Sequence, residues 1–406
     1  MSDKSIESKI AYYQERLLEQ ARYYAASDGR TISTAIEQAY RAVPRHRFIS
    51  RYRNWSTNEW HTVTPETLLE HLSMLYSNNA IGLYGDDESM PSTISQPSLV
   101  LSMLELLQLA PGNRVFEVGA GSGWNAGLMG QLVAPEGHVY SVEIIPSMAQ
   151  EAANNVAALG LTNVTILVGD AGDCYAPGAP YDRAIFTAGA TDLPLCFYEQ
   201  LTANALMLLV FKLTEGGDTL FLLRKEADHF RSLESMTVGF VPMTGAHAAG
   251  SQPQLITELP AWERLQTAEV DRRAFWWGGH GEGGLLWRTR GVRSFLAIVE
   301  PWFTTFRVPT RNSEMQTLFG LWDREGGSLT LAYHDHLVTY GNMATNERLR
   351  MWLQRWIDLG MPAADSFQLQ IYPADATVVP GENEWLVRRR ESQFLWQLPT
   401  SKSGQK

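Results

Sequence analysis

Three alternating glycines follow an apolar segment and could hold a nucleotide-like ligand against the main chain. The segment Arg114–Val118 reads as a buried strand, and Gly119, Gly121 and Gly123 come directly after it. Glycine has no Cβ, so the backbone N–H groups of such a turn stay accessible to a ligand near the start of a helix. The dinucleotide pattern G-x-G-x-x-G needs a small third residue, but here that position is Trp124. The spacing therefore disfavours NAD and FAD and suits a ligand without a pyrophosphate.

Acidic residues follow at spacings that suit the other parts of such a ligand. Glu143 ends the next predicted strand, about 20 residues on, where a carboxylate can accept hydrogen bonds from both hydroxyls of a ribose. Asp170 ends the strand after it and can accept from an adenine amino group. Glu117, just before the turn, can meet a ligand ammonium or brace the glycine loop. Each acid taken alone also fits a solvated loop residue or a helix cap, but the set indicates S-adenosylmethionine.

A parallel sheet is needed to bring these residues together, and the chain around them predicts one. Apolar segments of strand length alternate with segments of helical periodicity, which is typical of βαβ units. Open α/β sheets bind ligands at the carboxyl ends of their strands, where the glycines and the acids fall. The predicted strands are residues 114–118, 138–143, 164–168, 182–187 and 205–211, and the predicted helices between them are 123–133, 147–159 and 193–202.

A small, polar stretch at residues 245–253 predicts a boundary between two domains, because its composition is typical of a linker. We predict a first domain over residues 1–245, with N-terminal helices in 1–90 and a Rossmann-like core in 91–245. A smaller C-terminal α+β accessory domain is predicted over residues 254–406. Further expectations are a strand at 294–299, an amphipathic helix at 346–359, and an extension of the first sheet at its far edge by residues 238–242.

Composition and charge argue against several kinds of partner. The 406 residues carry a formal net charge of −11, which disfavours non-specific binding to nucleic acid or to a membrane surface. The polar N-terminus and the lack of a long apolar run predict no membrane span and a cytoplasmic location. Cys174 and Cys196 lack metal-like spacing and are expected to be free thiols. His334 and His336 would share one face of a strand without further ligands, so no metal is predicted.

Motifs in a fixed order make the first domain resemble the protein-L-isoaspartate O-methyltransferases. The resemblance covers roughly residues 5–245, and its most specific elements are Thr93–Pro97 (Thr-Ile-Ser-Gln-Pro) and the glycine turn. The resemblance implies an α/β fold, with a Rossmann-like S-adenosylmethionine-dependent methyltransferase sheet that has helices on both faces. The other matching motifs are Ala42–Phe48, Val139–Glu143, Asn163–Asp170 and Phe240–Pro242.

The resemblance also implies a reaction and roles for named residues. The reaction is methyl transfer from S-adenosylmethionine to the isoaspartyl or aspartyl carboxylate of a protein or peptide, after which the methyl ester closes to a succinimide. Ser95 would hydrogen-bond the acceptor carboxylate, although a turn followed by a helix cap also explains this segment. Thr93, Gln96 and Val241 would complete the substrate side. The implied cofactor-binding residues are Glu117, Gly119, Ala120, Gly121, Ser122, Gly123, Glu143, Asp170 and Ala171.

Such a reaction needs few catalytic groups. A carboxylate with a pKa near 4 is ionised at neutral pH, so it can attack a sulfonium methyl group without a general base. Catalysis then comes mainly from aligning the acceptor oxygen, the methyl group and the leaving sulfur in a dry pocket. This explains why the sequence shows no evident His/Asp or Cys/His dyad.

Departures from the family pattern leave three functions open. Ala171 stands where the family usually has glycine, residues 202–206 replace a Pro-Gly-Gly turn, and residues 254–406 lie outside the common core. The first function is repair of isoaspartate in damaged proteins. The second is methylation of an Asp in one dedicated precursor peptide, held by the accessory domain, with the Trp-rich residues 275–280 as a peptide groove or as buried core. The third is a cofactor-binding scaffold without activity, which the intact Ser95 motif disfavours. The oligomeric state is left open.

Overall fold

The chain folds into two compact units, which the computed structural model describes over residues 3–54, 57–84, 92–214, 217–248, 253–260, 262–275, 289–310 and 314–399. The second unit also takes two segments that precede residue 245, and the boundary predicted from the sequence stays a prediction. The first unit comprises Met1–Leu209, Leu222–Asp228 and Phe240–Ala248, and the second comprises Val210–Phe221, His229–Gly239 and Ala249–Lys406.

The N-terminal part of the first unit combines helices with a small antiparallel sheet. Its elements are α1 (Asp3–Ser27), α2 (Thr34–Ala42), β1 (Arg51–Arg53), β2 (Trp60–Thr62), α3 (Leu68–Leu75), β3 (Ile81–Tyr84) and β4 (Ser92–Ile94). The N-terminal helices predicted within residues 1–90 include α1 and α2. The region after them, which the sequence did not assign, forms a sheet in the order β2-β1-β3-β4. Because β3 pairs with β4, Thr93 lies opposite Gly82 and the Thr93–Pro97 motif starts on a strand.

Five parallel strands form the centre of the first unit and confirm the Rossmann-like α/β fold. The elements are α4 (Pro97–Leu107), β5 (Arg114–Val118), α5 (Trp124–Val133), β6 (His138–Glu143), α6 (Pro146–Ala158), β7 (Val164–Val168), β8 (Tyr181–Phe186), α7 (Cys196–Gln200), β9 (Leu201–Thr214) and β10 (Gly217–Lys225). The strand order is β10-β9-β8-β5-β6-β7. Val118 lies beside Val142, and Glu143 beside Val168, so the strands end at one edge of the sheet.

The entry into β9 differs from the prediction of a helix over residues 193–202. Helix α7 is only Cys196–Gln200, and the strand begins at Leu201. The register along β8 shifts between Tyr181 and Arg183, so that extra residues of β9 form an irregularity there. Asn204 adopts a left-handed φ of 63° in this stretch, a conformation that asparagine tolerates better than most residues. This irregularity stands where the family's Pro-Gly-Gly turn was expected.

Cys174 and Cys196 form a disulfide, which corrects the expectation of two free thiols. The two Cα atoms are 6.1 Å apart although the residues are 22 positions apart in the chain. Cys174 follows a short 3-10 turn at Ala171–Asp173, and Cys196 begins α7. Spacing along the sequence therefore missed a proximity that the fold creates between the end of β7 and the start of α7.

The second unit contains a six-stranded sheet and two helices that cover part of it. Its elements are β11 (Phe230–Val238), β12 (Gln254–Leu255), α8 (Trp262–Leu265), β13 (Glu269–Ala274), α9 (Arg290–Val299), β14 (Phe303–Pro309), β15 (Met315–Asp323), β16 (Ser328–Ala332), β17 (His336–Tyr340), α10 (Ala344–Asp358), β18 (Gln368–Pro373), β19 (Glu384–Arg388) and β20 (Ser392–Gln397). The six-stranded sheet runs β12-β14-β15-β16-β17-β13. The order β19-β20-β18-β11 continues into the first half of β10 and the second half of β9. Among the described helices none is long and apolar enough to cross a bilayer.

One predicted strand of the second unit is wrong, because residues 294–299 belong to helix α9. A short apolar run fits a buried strand and a buried helix equally well by pattern alone. In the structure Val292 and Leu296, four residues apart, pack with Leu349 and Leu353 of α10 against β15 and β17. The amphipathic helix predicted at 346–359 is present as α10.

Candidate cofactor and acceptor site

A cavity of about 230 Å³ in the first unit lies at the carboxyl ends of β5 and β6, where open α/β sheets bind ligands. It brings together segments that are far apart in the sequence, including the strand end at β4, the glycine turn and residues 240–244. Predicted site residues in its lining are Thr93, Ser95, Glu117, Gly119, Ala120, Gly121, Ser122, Glu143, Asp170, Ala171 and Val241. The predicted residues Gln96 and Gly123 are outside this lining.

Gly123 lies where helices α5 and α6 pack closely together. Its φ is +84° at the N-cap of α5, and a Cβ there would lie 3.1 Å from the carbonyl oxygen of Ala152 on α6. A larger residue would therefore push apart the two helices that follow β5 and β6. The glycine thus sets the spacing of the helices below the cavity.

The glycine turn presents its main chain to the cavity because Gly119 and Gly121, like Gly123, adopt left-handed conformations. Gly119 has a φ of +92° and Gly121 a φ of +53°. A Cβ on Gly119 would lie 2.7 Å from Thr187 Oγ1. That hydroxyl lies 2.9 Å from the carbonyl oxygen of Val118 and 2.6 Å from that of Gly119, to either of which it can donate. Thr187 therefore packs against the turn and leaves no room for a side chain at Gly119.

Glu143 joins the glycine turn to the end of β6. Its Oε2 accepts a hydrogen bond from the Gly121 N–H at 2.9 Å, and its Oε1 accepts one from the Ile145 N–H at 3.1 Å. Each carboxylate oxygen can accept more than one hydrogen bond, so both can still accept from ligand hydroxyls. The side chain is thus held at the cavity wall with acceptor capacity to spare.

The sequence allows Glu117 either to meet a ligand ammonium or to brace the glycine loop, and its hydrogen bonds fit the bracing role. Its Oε1 accepts from Asn125 Nδ2 at 2.6 Å and its Oε2 accepts from Ser141 Oγ at 2.5 Å, which ties β5 to α5 and β6. The side chain is fully buried. Burial raises the pKa of Glu117 to about 7, more than the two donors lower it, and the charge of Glu143 adds to the rise.

Asp170 holds a segment that sequence analysis placed elsewhere. Its Oδ1 accepts from the Gly172 N–H at 2.9 Å, and its Oδ2 accepts from the Ala246 N–H at 2.7 Å. A Cβ on Gly245 would lie 2.3 Å from that Oδ2, so only glycine permits this approach. Ala171, where the family usually has glycine, is not among the residues with positive φ, so its methyl group is tolerated.

Residues 240–244 line the cavity, which corrects the expectation that residues 238–242 extend the far edge of the sheet. Gly189 donates to Val241 O and accepts from the Met243 N–H, both at 2.8 Å, in a short parallel bridge beyond the end of β8. Further along, His247 Nε2 lies 3.2 Å from Asp173 Oδ1. The segment is thus fixed at both ends beside the predicted cofactor residues.

The acceptor loop, defined here as residues 92–96, both precedes a helix and lines the cavity. Ser95 follows β4 and lines the cavity, whereas Gln96 is the N-cap residue of α4 and donates from Nε2 to Ser98 Oγ at 3.1 Å. The carbonyl oxygen of Ser95 accepts a hydrogen bond from Arg45 Nη2 at 3.1 Å. The helix cap and the cavity wall are therefore made by neighbouring residues.

Sequence reasoning missed three residues of this site. Thr187 and Asn125 line the cavity, and Thr187 ends the predicted strand 182–187, just as Glu143 ends the predicted strand 138–143. Trp124, used only to exclude a dinucleotide, also lines the cavity, and its indole N–H donates to Val43 O at 3.1 Å. That bond connects the Ala42–Phe48 motif to the glycine turn.

The residues of the lining fit S-adenosylmethionine. Main-chain groups of the glycine turn, exposed because a Cβ is excluded, could hold its amino-acid end. The Glu143 carboxylate could accept from the ribose hydroxyls, and the apolar side chains of Val100, Met103 and Ile144 provide contact for its less polar parts. For a metal ion the described residues contain no cluster of three or more His, Cys, Asp or Glu side chains.

Comparison with known proteins identifies the family of this chain. Residues 14–248 match the family described as Protein-L-isoaspartate(D-aspartate) O-methyltransferase (PCMT). A Protein-L-isoaspartate O-methyltransferase of Ignicoccus hospitalis is 41% identical over 151 residues, which is 37% of this chain and 72% of that protein. Protein-L-isoaspartate O-methyltransferase 1 of Archaeoglobus fulgidus is 35% identical over 223 residues, 54% of this chain and 90% of that protein.

A solved structure supports the fold. It carries the name protein-L-isoaspartate O-methyltransferase and superposes with a TM-score of 0.53 at 21% sequence identity. The superposition covers 88% of this chain and 96% of the other. At this identity the likeness concerns the fold alone.

Proposed function

Because this chain belongs to the protein-L-isoaspartate(D-aspartate) O-methyltransferase family, we propose that it methylates the isoaspartyl or aspartyl carboxylate of a protein or peptide. The chain is an S-adenosylmethionine-dependent O-methyltransferase by its family. The observation that carries the choice of acceptor is the position of Ser95, which lines the same cavity as Glu143 and the glycine turn. A hydroxyl there can donate to a carboxylate that faces the methyl donor.

The cofactor-facing residues bind and orient. When bound, S-adenosylmethionine supplies a methyl group on a positively charged sulfur. The main chain at Gly119 and Gly121 would hold its amino-acid end, Glu143 would hold the ribose, and Asp170 would fix residues 240–248 beside the adenine. This arrangement uses the carboxyl edge of the sheet as open α/β folds generally do.

The acceptor needs orientation rather than activation. An isoaspartyl or aspartyl carboxylate is ionised at neutral pH, and its oxygen carries the electron pair that forms the new bond to the methyl carbon. Ser95 would donate one hydrogen bond to the carboxylate, and the apolar walls at Met103, Trp124 and Val241 would exclude water. In the methyl ester product, attack by the next backbone nitrogen on the ester carbonyl forms a succinimide and releases methanol, whose hydroxyl proton comes from that nitrogen.

A second acceptor is favoured by the second unit. The family match ends at residue 248, whereas the second unit continues with its own buried clusters around Phe306 and around Leu349. An enzyme that methylates one Asp in one precursor peptide could use this unit to hold that peptide. Phe275 is described, and the remaining residues of the Trp-rich segment, 276–280, lie outside the described residues.

The test is a methyl-transfer assay with labelled S-adenosylmethionine and three acceptors. These are an isoaspartyl hexapeptide, the same hexapeptide with Asp, and any short Asp-bearing peptide encoded beside this gene. Transfer to the isoaspartyl hexapeptide supports repair, and transfer only to the encoded peptide supports the dedicated function. No transfer to any of them, with S-adenosylhomocysteine still bound, would support the inactive scaffold. The cytoplasmic location stays a prediction that cell fractionation can check.

A further inference from the structure

Arg45 is a buried cation next to the acceptor loop. It lies in the Ala42–Phe48 motif, in a 3-10 turn between α2 and β1, and its exposed fraction is 0%. Burial lowers the pKa of Arg45 to about 9, so the guanidinium is still charged at neutral pH. Within the described residues no carboxylate pairs with it. A buried charge without a counter-ion is costly, so its retention needs an explanation.

Its hydrogen bonds go to main-chain carbonyl groups of two segments. Nη1 donates to Leu75 O at 2.8 Å and to Ser77 O at 3.1 Å. Nη2 donates to Asn79 O at 3.0 Å and to Ser95 O at 3.1 Å. Nε has no hydrogen-bond partner. One side chain thus fastens the acceptor loop to the turn that follows α3.

A contact with Trp124 is the second link between Arg45 and the cavity. The guanidinium carbon lies 5.5 Å from the centre of the Trp124 ring, within range of a cation–π interaction. The same ring lines the cavity, and its indole N–H bonds to Val43 O beside Arg45 in the motif. A change at Arg45 is therefore expected to move both the Ser95 main chain and one wall of the cavity.

We propose that Arg45 is a positioning residue for the methyl acceptor. Its side chain fixes the Ser95 main chain, and its charge, which no described carboxylate pairs with, favours an anionic acceptor over a neutral one. This inference rests on the proposed carboxylate acceptor. A neutral donor would serve the four carbonyl groups as well, whereas a cation additionally attracts the carboxylate that Ser95 receives. Binding of the acceptor supplies the negative charge that the described residues do not provide.

The test separates acceptor binding from cofactor binding. Arg45→Lys keeps the charge but loses the fork of guanidinium donors. We expect the KM of the acceptor peptide to rise about 10- to 100-fold, while the Kd of S-adenosylhomocysteine, measured by calorimetry, stays within about twofold. A merely structural role would weaken both or neither. Equal weakening of the two, or no change in KM, would overturn the inference.

Arg183→Lys is the matched control. Its guanidinium also donates to main-chain carbonyl groups, at Leu107 O (2.8 Å) and Gln108 O (3.2 Å), and it does not line the cavity. Both the KM and the Kd should stay at wild-type values in this variant. A similar rise of KM in Arg183→Lys would show a general effect of losing an arginine that binds main-chain carbonyl groups, and would count against the inference.

The effect of the Arg45 charge on acceptor preference is tested with competitive peptide inhibitors that differ only in the acceptor group. The wild-type enzyme should bind the carboxylate peptide at least about tenfold more tightly than its amide analogue. Arg45→Lys should keep that preference, and Arg45→Met should lose it. Equal binding of the two peptides by the wild-type enzyme would overturn the inference even if Arg45→Met does not fold. If the wild-type enzyme methylates no carboxylate, the proposed function fails and this inference with it; if it does and Arg45→Lys behaves as wild type, only this inference fails.

Discussion

The two walls of the cavity are built in different ways. The cofactor-facing wall, residues 117–123 and 142–145, is an edge of the parallel sheet, and its shape comes from strand pairing and from main-chain hydrogen bonds to Glu143. The acceptor loop begins with a three-residue strand and is tied to its surroundings by the side chain of Arg45. The proposed methyl-donor site is thus a property of the fold, whereas the proposed acceptor site depends on a few side chains.

The sharpest test of the cofactor-facing wall is Gly119→Ala. The substitution combines a φ of +92° with a Cβ only 2.7 Å from Thr187 Oγ1, so the turn must shift. We expect the affinity for S-adenosylhomocysteine to fall by about 100-fold in calorimetry. Gly160→Ala is the control, because Gly160 has a φ of +69° and open space around it. Wild-type affinity in Gly119→Ala would show that the turn does not hold the cofactor.

Glu117 makes the same wall sensitive to pH. Its pKa is raised from 4.5 to about 7, so the folded state binds the proton more tightly than the unfolded chain does. Stability from this group is therefore fully present below about pH 4.5 and is lost as the pH rises to about 7. Relative to Glu117→Gln, the wild-type free energy of unfolding should fall by roughly 3 kcal/mol between pH 4.5 and 7.5 in urea titrations. Parallel pH profiles of the two proteins would contradict this.

Glu143→Gln tests the acid that joins the turn to β6. The amide loses the negative charge and one of two acceptor oxygens, so the affinity for S-adenosylhomocysteine should fall about 30-fold. Asp182→Asn is a matched control, since Asp182 Oδ2 also accepts from a main-chain N–H, that of Arg114 at 2.9 Å, outside the cavity lining. Comparable losses in both variants would mean that Glu143 acts only through the stability of the sheet.

The cofactor-facing wall could be predicted because its signals are local in the sequence. Strands 114–118, 138–143 and 164–168 were predicted with the bounds that β5, β6 and β7 have in the structure. Glycines and acids at the ends of such strands must meet at one edge, whatever the rest of the chain does. The same rule would have found Thr187.

Other features depend on contacts that no local pattern encodes. The bridge between Gly189 and Pro242 brings residues 240–248 to the cavity, and the Cys174–Cys196 disulfide joins segments that only the fold makes neighbours. Arg45 binds carbonyl groups, and carbonyl groups are the same in every residue, so its partners leave no trace in the sequence. The run at 294–299 fits a buried helix and a buried strand equally well until its packing is known.

The division between the two walls is tested most directly by Ser95→Ala, with Ser102→Ala as a control on the same stretch of chain. Ser102 is a buried residue of α4 outside the cavity lining. Calorimetry with S-adenosylhomocysteine and methyl transfer to an accepted peptide are measured on both variants. We predict that Ser95→Ala binds S-adenosylhomocysteine with wild-type affinity but loses about tenfold in kcat/KM for the acceptor, and that Ser102→Ala changes neither. Unchanged kcat/KM in Ser95→Ala would contradict the assignment of this wall to the acceptor.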